Sequence, residues 1–509
     1  MIDPTTTTIV SPDYSRSFFG HPRGLATLFM TEFFERFTYY GLRTMLVLFL
    51  AASTTAANPG YGIDNETAGA VYALFAGCAY LVTVPGGWIA DQLIGQRNAV
   101  FAGGIFITVG NFICAIPATP AVFYAGLAFT VLGIGLLKPN VSSVVGALYE
   151  GQPGARRDAG FSIFYMGINL GAALGPIIAA GLGEDVNWRL GFAICGVAMI
   201  IGLIQFKLTE KYLGTSGLAP IVPPEQRKRT WIMVAGVFVL ALIGAATLFL
   251  GKDVPSEQTL ARGLFIGEVA LAVAFFGYVL LFGGLDTAEK KRVGVIIIFF
   301  LCAALFWGGF EQQATSFNIF ALDYTDRSFM GHLYNEGMHP AAYYQAINPI
   351  GIILFAPFFA WIWVTLGVKN LDPSAPFKMG FGLLMMGFGF LIMMFAAQLV
   401  VSTDAKVGPQ WLFMAYLIHT FAELCLSPVG LSNVTKLSPP KFVSRMMGTW
   451  FLGAAIGNTV AGLVGGHTSS LTKAELPHQF WIMTLIGGGA GVVIMLFART
   501  LRGWIGDRK

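Results

Sequence analysis

Charge is scarce in this chain: Asp, Glu, Lys and Arg make up 11% of the 509 residues, against 55% hydrophobic residues. With a mean hydropathy of +0.68, so little polar surface cannot clothe a water-soluble globule, which excludes most soluble enzymes. Cysteine is also sparse. Cys78, Cys114, Cys195, Cys302 and Cys425 all lie in apolar stretches without CxxC spacing, so free thiols are expected instead of a disulfide framework or a metal site. No run of five like charges occurs and the net charge is only +4, so no nucleic-acid partner is expected. The N-terminus, MIDPTTTTIVSPDYSRS, has no apolar run followed by a small-residue cleavage site, so the first span is expected to serve as the insertion signal. HExxH, G-x-S-x-G and G-x-x-x-x-G-K-[ST] are all missing, as are clustered His and Asp ligands. Neither catalysis nor a bound metal or cofactor is expected.

What the chain has in abundance is long apolar runs. A transmembrane helix takes about 20 such residues, and runs this continuous exclude the alternating strands of a barrel. Helices are expected near 24–51, 67–92, 98–117, 120–148, 158–182 and 189–207, then 231–250 and 262–285, then 293–321, 341–366, 377–400, 409–435, 445–465 and 479–500. This is an all-α polytopic membrane protein of six plus two plus six spans, 14 in all. The expected organisation is an N-terminal six-helix bundle over 1–207, a cytoplasmic linker over 208–230, an inserted two-helix hairpin over 231–285 and a C-terminal six-helix bundle over 286–509. Basic residues collect in cytoplasmic loops. With both termini placed in the cytoplasm, 22 of the 31 Lys and Arg residues fall inside and 6 outside, while Arg36, Arg43 and Lys138 sit within helices. The expected location is the cell membrane, multi-pass, with the lipid bilayer as surroundings and no obligate protein partner evident. Two six-helix groups joined by a basic linker point to a secondary transporter with its site near the midplane between the halves.

Ionisable residues inside a bilayer are costly and therefore candidates for function. The stretch TEFFERFTYYGLR places Glu32, Glu35, Arg36, Tyr39 and Arg43 on one helical stripe. Glu32, Glu35 and Arg36 are also suited to neutralise one another as a structural cluster. Lys138 lies deep in the fourth helix, where Pro139 favours a kink that lines a cavity. In the second half, Trp307, Glu311, Thr315 and Asn318 are expected on one face, and His419, Glu423 and Ser427 stack at i, i+4 and i+8. Leaving out the hairpin, the deep groups sum to +1 in the first half (Glu32, Glu35, Arg36, Arg43, Lys138) and to −2 in the second (Glu311, Glu423). Such a polar field suits a zwitterion, its carboxylate toward Arg36 and Lys138 and its ammonium toward Glu423. Amino acids and short peptides fit; sugars do not. The core carboxylates outnumber the cations by one, so at least one is available to carry a proton. Tyr165, Asn169, Gln345, Asn348, Tyr80, Trp307, Trp450 and Phe451 add polar and aromatic lining. His419 is expected to be a neutral, hydrogen-bonded histidine. Glu268, six residues past Arg262, is expected near the membrane interface and without a role.

Several blocks carry a resemblance. Gly87, Asp91, Gly95 and Arg97 resemble the G-x-x-x-D-x-x-G-x-R loop of the major facilitator superfamily. Glu32 to Tyr40 fits E-x-x-E-R-F-x-Y-Y, and Phe161 to Gly171 fits F-x-x-x-Y-x-x-I-N-x-G. With Gly135–Tyr149, Phe306–Asn318 and Tyr416–Leu437, these make the chain similar over nearly its whole length to the proton-dependent oligopeptide transporters of that superfamily. The resemblance implies the major facilitator fold and symport of small peptides with protons, driven by the proton gradient and requiring no cofactor. It implies that Arg36 and Lys138 hold the peptide carboxylate and Glu423 the ammonium. Asn169 and Asn348 would bind the peptide backbone or amino end, and Tyr39, Tyr40, Tyr80, Trp307 and Trp450 would line side-chain pockets. Glu32 and Glu35 look like coupling carboxylates beside Arg36, while Glu311 is similar to the seventh-helix carboxylate that exchanges between a bond to Arg43 and a protonated state. One departure is Ala73, which stands after Val71 and Tyr72 where animal relatives carry a histidine. Relatives of the family also move nitrate, other anions and amine-bearing compounds, which is the competing expectation.

Overall fold

The computed structural model describes residues 18–219 except 153, scattered positions from 223 to 236, and 255–506 except 330, 336 and 370. Most of the first hairpin helix expected over 231–250 lies outside the described residues. Every regular element among them is helical, and the only extended pairings are two isolated bridges, Phe18 with His21 and Thr325 with Val407.

In chain order the helices are α1 (Arg23–Ala51), α2 (Asn65–Leu81), α3 (Thr83–Ile89), α4 (Gln96–Ala115), α5 (Pro120–Ala147), α6 (Gly154–Leu174), α7 (Gly181–Asp185), α8 (Trp188–Thr209), α9 (Glu257–Phe282) and α10 (Thr287–Phe310). They continue with α11 (Ser316–Tyr324), α12 (Ile347–Val368), α13 (Ala375–Thr403), α14 (Gln410–Leu437), α15 (Val443–Ser470) and α16 (Leu476–Ile505). Among the described residues 12 helical stretches are long and apolar enough to cross a membrane. To these α1 adds 29 residues with Glu32, Glu35, Arg36 and Arg43 in its interior. Boundaries follow local chemistry. At the start of α10, Asp286 accepts the Glu289 amide at 2.7 Å and Glu289 accepts the Asp286 amide at 3.1 Å, a capping box. Pro120 opens α5, where its missing N–H costs nothing.

Two expected helices are interrupted. The second span passes from α2 through α3 into a π-turn at Ala90–Ile94, ending on Gly95 at φ +80°, a backbone conformation that favours glycine. Arg97 then donates to Ser216 O at 2.6 Å and to Gly214 O, so the loop motif clasps the linker backbone. After α10 the chain tightens into a 3-10 turn, Glu311–Ala314, and breaks at Thr315. Trp307, Glu311, Thr315 and Asn318 therefore do not share one continuous helical face as expected. Local side chains compete for the backbone there: Gln312 donates to Gly308 O at 3.1 Å, and Thr315 to Gln312 O at 3.4 Å.

Contacts divide the chain into two compact units, one of residues 1–42, 82–175 and 192–255 and one of 43–81, 176–191 and 256–509. In the first, Gly167, Gly171 and Gly175 of the fifth span lie on Phe29, Phe33 and Phe37 of α1, so close that a Cβ on Gly171 would stand 2.3 Å from Phe33 O. In the second, α2 packs on α15 through Gly69, Ala73, Gly462 and Gly466, and a Cβ on Gly69 would stand 2.4 Å from Gly466 Cα. This second unit gathers the end of α1, all of α2 and the segment 176–191 onto helices of the second six-helix group.

Glu268 lies about 16 Å along the 26-residue α9, which begins at Glu257, ahead of Arg262. There it is buried.

Candidate functional site

On α1, in the first unit, Glu32, Glu35 and Arg36 are all buried. Arg36 Nε lies 3.1 Å from Glu32 Oε1 and also bonds Glu35 Oε2. Both carboxylates therefore meet a single nitrogen. Arg36 Nη2 stays buried without an acceptor among the described residues, as do Glu32 Oε2 and Glu35 Oε1 without a donor. The guanidinium carbon stands 5.2 Å from the Tyr39 ring centre, and Tyr39 meets Tyr40 edge to face at 5.3 Å. Lys138 is half-buried on α5, near enough for its charge to act on Glu32. Asn169 is buried on α6 and donates to Tyr165 O at 3.0 Å. The cluster and Lys138 thus come together, while Asn169 is engaged within its own helix.

In the second unit Arg43 Nη2 lies 2.7 Å from Glu311 Oε2, both side chains being buried. Tyr72 donates to the same oxygen at 3.0 Å. This joins α1, α2 and the turn after α10 at one carboxylate oxygen. Further along, Asn348 on α12 donates to Glu423 Oε2 at 2.9 Å and to Thr420 Oγ1 at 3.2 Å. Glu423 is buried with an amide partner and no ion pair among the described residues. Trp450 is buried against Gly430, where a Cβ would stand 2.0 Å from the indole. Trp307 is half-buried with its Nε1 lacking an acceptor among the described residues, and Tyr80 is half-buried on α2. His419 is buried, its Nε2 is 3.1 Å from Met386 O, and its ring stacks on Phe317 at 5.6 Å.

Three contributors escape a reading of the sequence. Tyr72 is one; the only cue is a hydroxyl within an apolar helix. Thr420, one turn before Glu423, is another. The third is a buried pair far apart in sequence: Arg327 Nη1 bonds Glu184 Oε1 at 2.9 Å, and Glu184 also accepts the amides of Ala341 at 2.8 Å and Ala342 at 3.1 Å. Asn335 supports it by donating its amide to Asp185 at 2.8 Å. Beside this latch, burial and the nearby Arg327 push His339 below its ordinary value, although its bond to Phe329 O opposes them.

The model of the POT family matches residues 97–482. Among curated relatives, the peptide transporter YePEPT of Yersinia enterocolitica is 40% identical over 477 residues, 91% of each chain. A di-/tripeptide transporter of Lactococcus lactis is 34% identical over 495 residues, covering 97% of this chain and 98% of that one. Among solved structures, a peptide transporter POT in complex with sulfate superposes with a TM-score of 0.87 at 36% identity, covering 97% of this chain and 98% of that one. A POT family transporter in complex with 5-aminolevulinic acid gives 0.84 at 32% identity, covering 95% and 98%.

Proposed function

The chain belongs to the POT family of peptide transporters, and on that premise we propose that it is a symporter carrying di- and tripeptides together with protons. The fold is that of its structural relatives, a multi-pass helical membrane transporter of the major facilitator type. The observation that carries the reading is the unspent chemistry of Arg36: both neighbouring carboxylates meet its Nε, while its Nη2 is buried without an acceptor among the described residues. A planar fork held in this way accepts a carboxylate. With Lys138 it would take the peptide's C-terminus. Glu423, anchored by Asn348 and free of an ion pair among the described residues, would take the ammonium. Tyr39, Tyr40, Tyr80, Trp307 and Trp450 would contact the side chains, and Asn169 the backbone once released from Tyr165.

Coupling is assigned to the carboxylates. Arg43 holds Glu311 while that group is charged, so a proton on Glu311 weakens the bond and lets the segments joined there move. Glu32 and Glu35 would answer the arrival of a peptide carboxylate at Arg36 in the same way. At 100 mV, one proton moved with a neutral zwitterion is worth about 2.3 kcal/mol, or roughly 50-fold accumulation.

The direct test of the substrate class is competition. Against uptake of labelled dialanine into liposomes, unmodified dipeptides should compete, while N-acetylated or C-amidated ones should compete at least about tenfold less well. Competition by nitrate or simple amines in place of dipeptides would move the assignment to the alternative solutes.

A further inference from the structure

Glu268 lies outside the pathway just described, on the inserted hairpin. It is 1% exposed at the middle of α9, and neither of its oxygens has a hydrogen-bond partner among the described residues. Helix α9 packs on both α2 and α15, over the line where those two meet. Ala261 joins Ala70 and Ala73 in a buried cluster with Leu74 and Leu463 against it, and Gln258 donates to Thr67 at 2.6 Å. The carboxyl points at the bare backbone of Gly77: a Cβ built there would stand 3.4 Å from Glu268 Oε1 and 2.3 Å from Thr459 Oγ1. Absence of a side chain at Gly77 is what makes room for both.

The neighbours decide the chemistry. Thr459 faces Glu268 across Gly77 and donates to Ala455 O at 3.2 Å; with its hydroxyl turned that way it offers lone pairs to which a protonated Glu268 can donate. Among the described residues, the titratable groups that flank Glu268 on the packed elements include no cation bonded to it. They are Tyr72 and Cys78 on α2, with Tyr72 turned to Glu311, and Cys302 and Glu311 at and beyond α10, with Glu311 turned to Arg43. On α15 the nearest is His467, two turns from Thr459; on α9 itself Arg262 lies six residues away. An unpaired carboxylate anion buried among such groups is strongly disfavoured, and the neutral acid is accepted.

We propose that Glu268 is a second proton-binding site, separate from Glu311, which holds its proton while α9 covers the seam between α2 and α15 and releases it when that seam opens to water. The release step rests on the proton-coupled symport proposed above; the bound proton does not. The inserted hairpin thereby puts a titratable group against the joint between one helix of each six-helix group, so that proton occupancy and seam closure reinforce one another.

Infrared difference spectroscopy on the full chain in liposomes tests this. Subtracting Glu268→Gln from wild type at neutral pH should leave a protonated-carboxyl C=O band. Thr459→Val should shift that band, which keeps the test valid if the Gln variant does not fold. A disulfide from Asn65→Cys and Ser469→Cys, positions bridged at 2.8 Å by Asn65 donating to Ser469 O, should hold the seam shut. In the locked protein the band should survive to mildly alkaline pH; in the unlocked protein it should convert to carboxylate. A carboxylate band at neutral pH, or equal titration with and without the lock, would overturn the proposal. Failure of peptide uptake would leave these spectra unchanged, so the two assignments fail separately.

Discussion

Arg43 and Tyr72 converge on one oxygen of Glu311, at 2.7 and 3.0 Å, within a unit that also packs α2 against α15. A charged Glu311 therefore ties the end of α1 and the middle of α2 to the turn after α10. Neutralising it releases the strongest of these ties. Glu311→Gln should retain exchange of labelled for unlabelled dipeptide across liposomes and lose gradient-driven accumulation. Loss of exchange with accumulation intact would sink the coupling role.

Asn348 orients Glu423 by one hydrogen bond and spends its other amide proton on Thr420. Asn348→Ala removes the bond and lets the carboxylate turn. A hydrogen bond to a charged group is worth about 1.5–3 kcal/mol, so dipeptide affinity should weaken roughly 10- to 100-fold. Isothermal titration with dialanine reads this; an unchanged Kd would remove Asn348 from the site.

Glu184 keeps two backbone amide donors when Arg327 is removed, but its charge then lacks a cation. Arg327→Met should lower stability by about 3 kcal/mol, and Arg327→Met with Glu184→Gln should restore much of it, because no unpaired charge remains. Thermal unfolding in detergent measures both. A double variant no more stable than the single one would show that the pair acts through packing alone.

His339 is held below its ordinary value of 6.5 in the folded loop, so the unfolded chain binds the proton more readily. Its contribution to stability is complete above that value and declines as pH falls beneath it. The unfolding temperature should drop on going from neutral to acid pH, and His339→Gln should flatten part of that slope. An identical slope in the variant would assign the acid sensitivity elsewhere.

The long apolar runs make the helical membrane class legible, because nothing else accommodates 20-residue stretches without charge. The chemistry on α1 is legible for the same reason: Glu32, Glu35 and Arg36 stand out in an apolar helix and share one salt-bridge cluster. Glu311 and Arg43 pair through family resemblance, and the geometry joins them. Tyr72 stays hidden because a tyrosine in an apolar helix has many uses, and Glu184–Arg327 because nothing local links two loop-end residues so far apart. A stripe drawn through Trp307 to Asn318 assumes unbroken 3.6-residue periodicity, which the turn at Glu311–Ala314 interrupts. Arg262 as a boundary sets Glu268 too near the start of its helix, whereas α9 starts five residues earlier.

If a proton gradient drives uptake of a zwitterionic peptide and both Arg36 and Glu423 are needed for it, the most direct measurement is uptake of labelled dialanine into liposomes. The exterior is made acid and the interior negative, and the wild type is compared with Arg36→Ala and Glu423→Ala. The wild type should accumulate peptide in a way that a protonophore abolishes, and neither variant should accumulate any. Accumulation that survives the protonophore, or persists in both variants, would contradict proton-driven transport through this site.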